Sequence, residues 1–243
     1  MLSVYFKELR SFFSSLVGYV VLLVFLGACG LFLWVLTDTS ILDYGYASME
    51  QFFSIAPWLL LFLIPAITMR SFADEYRGGT IEWLSTKPLT LGQIVLGKFL
   101  ACFTLVCIAL LPTLLYIFSI HYLAMDEAAL DAGGIAGSYA GLLCLAATFT
   151  AIGIFCSTLT DNQIVGFLAS LFLCFLLYSG FEALSRVPAF RGGADYYLGL
   201  AGVDEHYNSM SRGVIDTRDV VYFGSLIALF MTLTRFTLSR KKA

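Results

Sequence analysis

The chain has 243 residues, 59% of them hydrophobic and only 13% charged, with a formal net charge of −3. A soluble domain carries roughly 25% charged residues, and a fold of this size cannot hide so much apolar surface and stay dispersed, so a soluble globular protein is excluded. The net charge decides little by itself; where the charges fall decides more.

Residues 1–16, MLSVYFKELRSFFSSL, place Leu2, Tyr5, Phe6, Leu9, Phe12, Phe13 and Leu16 at helical spacing, with Lys7, Arg10 and Ser14 on the other side. This predicts an amphipathic helix in the cytoplasmic headgroup region, apolar side down and cations toward anionic lipid. Six apolar runs follow, at residues 17–36, 53–69, 94–120, 135–159, 164–181 and 220–238. About 20 residues cross a hydrocarbon core of ~30 Å, so each is read as a transmembrane helix. The third and fourth are longer, and Pro112 favours a kink in the third. The first exceeds the roughly 7–15 apolar residues of a signal peptide and no small-residue cleavage pattern follows it, which makes it a span.

Lys and Arg set the orientation. Lys7 and Arg10 precede span 1; Arg70, Arg77, Lys87 and Lys98 surround the 2–3 connection; Arg235, Arg240, Lys241 and Lys242 close the chain. The 1–2 loop (Asp38, Asp43, Glu50) and the 3–4 loop (Asp126, Glu127, Asp131) carry no cation. Both termini and the 2–3 connection are therefore expected in the cytoplasm. In the 5–6 loop Arg186, Arg191, Arg212 and Arg218 are balanced by acids, and parity with the other two loops makes it external.

Between spans 2 and 3, residues 70–93 mix Asp74, Glu75, Arg77, Glu82 and Lys87. Gly78 and Gly79 bend the chain before Thr80, a candidate N-cap for a short helix through Ile81, Glu82, Trp83 and Leu84 that Pro88 stops. Such a helix suits either docking to a soluble partner or a solvated place on the membrane surface. Further on, GQIVLGKF (residues 92–99) has the skeleton of a phosphate-binding P-loop, but Phe99 stands where the motif needs a Mg²⁺-ligating hydroxyl. Gly92 and Gly97 belong instead to a starting span, and Lys98 is expected at the cytoplasmic rim or on lipid phosphates.

The 5–6 loop, residues 182–219, reads as one or two short helices on the external surface. His206 beside Asp204 and Glu205 has no second His in this loop, so surface polarity is preferred over a metal site or general base. Cys29, Cys102, Cys107, Cys144, Cys156 and Cys174 all lie in apolar runs and read as packing residues. No Asp, Glu, Lys or Arg falls near the middle of a span, as an ion-coupled carrier would require. Small residues form stripes, Gly133, Gly137 and Gly141 opening span 4 and Gly166 with Ser170 in span 5, which permit close helix contact.

An interfacial N-terminal helix, six spans, a charged 2–3 connection and an external 5–6 insertion together resemble the ABC-2-type exporter permeases. The most specific match is DEYRGGTIEWLSTKPLTLGQIVLGK (residues 74–98), in which Glu75, Arg77, Gly79, Thr80, Glu82, Leu84, Pro88, Gly97 and Lys98 fit the family pattern. EHYNSMSRGVIDTRDVVYF (residues 205–223) is similar to the gliding-motility (GldF-like) branch of the Bacteroidetes. The resemblance implies an all-α membrane fold forming one transmembrane domain over 1–243, with a coupling helix that inserts into an ABC ATPase. Glu75, Arg77, Gly79, Thr80, Glu82 and Leu84 would be the docking residues. It also implies a place in the inner membrane of a bacterium, a second permease subunit, identical or not, a surround of membrane lipid, and no nucleic-acid partner. No cofactor is expected in this chain; ATP and Mg belong to the partner ATPase, so the chain is not itself an enzyme. The alternative is a structural membrane anchor of a motility or secretion assembly. Nucleotide-dependent labelling of single cysteines along spans 2 and 5 separates the two.

Overall fold

A long apolar run in hydrocarbon can satisfy its backbone N–H and C=O groups only within a helix or a closed barrel. The computed structural model describes residues 1–36, 40–41, 48–79, 90–123, 131–188 and 193–242, and every regular element among them is helical. Among the described residues six stretches are long and apolar enough to cross a membrane.

Helix α1 (Leu2–Phe13) ends at Ser14, and the extended backbone of Ser15 turns the chain into α2 (Leu16–Trp34), the first span. Helices α3 (Glu50–Thr68) and α4 (Arg70–Arg77) follow one another closely enough to form one stretch of 28 residues, Glu50–Arg77. The second span therefore runs two turns beyond the expected limit at residue 69. Gly78, and Gly79 with φ +63°, end it, the second in the left-handed region that glycine adopts without penalty. Helix α5 (Leu91–Leu110) opens on a capping box, in which Thr90 accepts from the Gln93 N–H while Gln93 reaches back to the Thr90 N–H. A 3₁₀ turn at Leu111–Leu114 holds Pro112 and joins α5 to α6 (Leu115–Leu123), an interruption where the sequence predicts a kink.

Helix α7 (Ala132–Leu159), the fourth span, is the axis of the bundle. It packs against α3, α5, α8 (Gln163–Phe175) and α12 (Thr217–Lys242). Its middle is rich in Ala, Thr and Gly and buried on all sides. Among the described glycines the tightest approach is at Gly153, where a Cβ would stand 2.1 Å from Thr68 Oγ1 of α3. The fifth span continues from α8 through a π-helical turn at Leu176–Gly180 into α9 (Phe181–Ser185). By contrast α2, α8 and α12 leave long apolar faces exposed, Leu23, Phe172 and Val221 among them. A bilayer covers such faces.

The 5–6 insertion holds α10 (Ala194–Ala201) and α11 (Val203–Met210). Tyr196 and Tyr197 of α10 stay exposed, while Val203, Tyr207 and Met210 of α11 are buried against the bundle. One contact explains why. Pro57 lies inside α3 and has no N–H, so the carbonyl of Phe53, four residues earlier, lacks its helical donor. The Tyr207 hydroxyl donates to that carbonyl at 2.7 Å. A proline in one span thus creates the acceptor that draws α11 inward.

Candidate functional site

At the end of the bundle that carries both termini, four charged side chains from three elements converge. Lys98, eight residues into α5 and so about 12 Å along the helix from Thr90, has a fully buried side chain. Its ammonium lies 2.8 Å from Glu8 Oε1 of α1 and 3.0 Å from Glu75 Oε1 of α4. It also donates to the Ser71 carbonyl and sits over the Phe72 ring, 4.8 Å from its centroid. Lys7 closes the set from the outer side, 2.9 Å from Glu75 and 3.7 Å from Glu8. Two ammonium groups thus face two carboxylates, which is how charge is tolerated where water is scarce. Burial opposes the charge on Lys7, but the Glu75 hydrogen bond and the Glu75 and Glu8 carboxylates outweigh it, so its pKa is raised.

The cluster sets the position of α1. Val4 is buried and meets α5 at Gly97, where any Cβ would come within 3.2 Å of the Met1 carbonyl and of Val4. Leu2 and Phe6 stay exposed. Two expectations change here. Lys98 turns inward to carboxylates instead of reaching lipid phosphate, and Lys7 points to Glu75 instead of the headgroups. The i, i+1 neighbours Lys7 and Glu8 both face the cluster, so a simple two-sided reading of α1 overlooks Glu8.

Among the expected docking residues, Glu75 is turned inward into this cluster. Arg77 and Gly79 are exposed at the end of α4. Thr80, Glu82 and Leu84, and the short helix expected there, lie outside the described residues. The cluster therefore stands directly before the 2–3 connection, with α4 as its last rigid element.

The small-residue stripes divide by partner. Gly137 and Gly141 meet the 5–6 insertion and not another span. A Cβ would lie 2.6 Å from the Gly213 carbonyl at Gly137 and 2.7 Å from Met210 Cβ at Gly141. Gly213 itself has φ +83° and touches Gly134. Gly133 meets only Asp131, whose side chain caps α7 by accepting from the Gly134 N–H. Gly166 has ordinary contacts to Thr160 and Ser157, while Ser170 is buried beside Gly153. Gly153, the tightest inter-span approach among the described glycines, is outside both stripes and has no sequence signature beyond its size.

At the opposite end, the insertion roofs a cavity of about 650 Å³ lined by Glu50, Trp58, Asp131, Tyr178, Asp204 and Tyr207, among others. Burial, then the Glu182 and Glu205 carboxylates, push the Asp204 pKa up against hydrogen bonds from Tyr178 and Asn208. His206 lies beyond this wall. Its Nδ1 is 2.7 Å from Asp219, its Nε2 is 3.0 Å from the Leu200 carbonyl, and its ring stacks on Tyr222. Those contacts tie α10, α11 and α12 together and give it a structural place.

A family model described as ABC-2 family transporter protein matches residues 15–189, well over half of the chain. The matched stretch holds the first five spans, Glu75 and Lys98, and leaves α1, the two insertion helices and the last span outside. No curated protein matches the chain.

Proposed function

The chain belongs to the ABC-2 family of transporter proteins and is a membrane permease of an ABC transporter, and from that premise we propose how it works. A separate ABC ATPase docks on the cytoplasmic 2–3 connection through Arg77, Gly79, Thr80, Glu82 and Leu84. A second permease subunit, identical or different, completes the pathway, and the complex belongs to the gliding-motility branch of the family. Glu75 anchors the connection from inside rather than touching the ATPase.

The observation that carries this reading is the position of the ion cluster. It fastens α4 to α1 and α5 at the last turn before the connection, so a push on the connection is delivered to span 2 as a whole. Two further features support it. Span 2 contains Pro57 and Pro65, and span 5 contains the π-helical turn at Leu176–Gly180. Such interruptions let a helix bend at a defined place, and these two spans would tilt between inward- and outward-facing arrangements. ATP binding to the partner would bias that equilibrium by contacting one arrangement better than the other.

Charge reversal at Arg77 and Glu82, with the ATPase co-expressed, tests the reading. Reduced co-purification and a lower ATPase rate of the complex are expected. Unchanged values for both would refute docking at this connection.

A further inference from the structure

Beneath α1, at the level where the apolar run of span 2 gives way to charge, lies a second cavity of about 160 Å³. At ~30 Å³ per water it has room for about five waters, the size of a phosphate with a short amine. Phe12, Ile67 and Leu105 form its apolar side, and Ser15, Arg70 and Asp74 its polar side. Glu8, Glu75 and Lys7 also line it, but these three are engaged with one another and with Lys98.

Arg70 and Asp74 are the unusual pair. They stand four residues apart on α4, the spacing at which opposite charges normally meet. Among the described residues neither makes an ion pair. Arg70 gives one nitrogen to Ser15 Oγ at 3.3 Å, while its Nε is buried and has no hydrogen-bond partner among the described residues. Asp74 accepts from Gln163 Nε2 of α8. Each is thus held away from the other, leaving a separated plus and minus across a small gap with an apolar wall.

We propose that this cavity binds the headgroup of a zwitterionic aminophospholipid, with one lipid per chain as a built-in component. The phosphate sits on Arg70 and Ser15, where the guanidinium offers its fork and its idle Nε–H. The ammonium sits on Asp74, one helical turn from Arg70 on the same side of α4 and lining the same cavity, so the two charges of one short headgroup can each meet their partner. The acyl chains leave past Phe12, Ile67 and Leu105 into the bilayer. A lipid that carries only negative charge leaves Asp74 facing an anion and is disfavoured. The site requires neither the ATPase nor a transport cycle.

The test uses the purified chain in nanodiscs of phosphatidylethanolamine and phosphatidylglycerol in equal amounts, with retained lipid weighed by native mass spectrometry. The wild type is expected to keep one phosphatidylethanolamine in preference to phosphatidylglycerol. Asp74→Asn should keep one lipid but lose the preference, and Arg70→Gln should retain about tenfold less of either, the loss of one charge-assisted contact. If Arg70→Gln does not fold, Arg70→Lys replaces it, keeping the charge but losing the fork, and should fall between the two. Soluble glycerophosphoethanolamine in excess should leave the lipid in place, because it lacks the chains that use the apolar wall. Equal retention of both lipids by the wild type, full retention by the Arg70 variant, or displacement by the soluble headgroup overturns the proposal.

Discussion

Replacing Lys98 by Met removes the one buried cation that serves both Glu8 and Glu75. In the wild type each carboxylate has an ammonium within 3.0 Å. After the change only Lys7 remains; its side chain is 56% exposed, and it lies 2.9 Å from Glu75 but 3.7 Å from Glu8. Glu8 is then left without a close partner. Breaking a buried pair by deleting one member costs about 3–5 kcal/mol. For a chain of this size each kcal/mol shifts the melting midpoint by about 2–4 °C, so a fall of about 6–20 °C is expected in thermal unfolding followed by tryptophan fluorescence in detergent. Salt should barely change the difference, since buried charges are poorly screened. Neutralising Glu8 in the same molecule restores the charge balance, so Lys98→Met/Glu8→Gln should be more stable than Lys98→Met alone. The order of those two midpoints decides the matter. A double variant no better than the single, or a single variant as stable as the wild type, would refute the reasoning that Lys98 is held by carboxylates.

Tyr207→Phe leaves the Phe53 carbonyl without a donor and should cost about 1–3 kcal/mol. Adding Pro57→Ala restores the helical N–H and should recover much of that loss, which a double-mutant cycle measures. Gly137→Ala forces a methyl group against the Gly213 backbone and should destabilise by about 1–3 kcal/mol, whereas Gly133→Ala and Gly166→Ala should change the melting midpoint little. The raised pKa of Lys7 means that its contribution is complete below the ordinary lysine value of 10.5 and is lost as pH rises through the folded-state value. Lys7→Met should therefore lower stability at pH 7 and flatten the decline above about pH 10.5 in a pH series of melts. Asp204 has the opposite effect. A carboxyl whose pKa is raised on folding loses stability as pH climbs past its ordinary value, so Asp204→Asn should raise the midpoint at pH 7 and leave it unchanged near pH 3.5.

The six-span architecture is legible in the sequence because the apolar runs are long and hydrocarbon permits few alternatives to a helix. Thr90 with Gln93 and the interruption at Pro112 follow from local rules that act within a turn or two. What escapes is long-range. Lys98 reads as a rim cation when only its neighbours in the chain are considered; Glu8 and Glu75 arrive from elements 90 and 23 residues away. The glycine stripe at Gly133, Gly137 and Gly141 signals close approach but not its partner, and two of its three members meet the 5–6 insertion, at Gly213 and Met210, far downstream in the chain. Likewise, Pro57 announces a missing donor, yet nothing local names Tyr207 as the replacement. Residue type tells what a position needs, and tertiary packing decides who supplies it.

These long-range contacts meet on one element. The stretch Glu50–Arg77 is fixed near one end by the Tyr207 hydroxyl on the Phe53 carbonyl and near the other by Glu75 on Lys7 and Lys98. Between them Gly153 brings α7 into contact at Thr68, and Pro57 and Pro65 interrupt the helix hydrogen-bond ladder. On the proposed function this geometry restricts how span 2 can respond to its partner. The ion cluster moves with α4, so force applied past Gly79 also carries α1 and the start of α5. The close contact at Gly153 tolerates tilting about that point better than sliding, since packed interfaces shift between discrete arrangements rather than deform smoothly. A tilt there moves the Phe53 end in the opposite direction and pulls on α11 through one hydrogen bond. The cavity roofed by α11 would then open or close in step with events at the 2–3 connection, with Thr68 against Gly153 as the fulcrum.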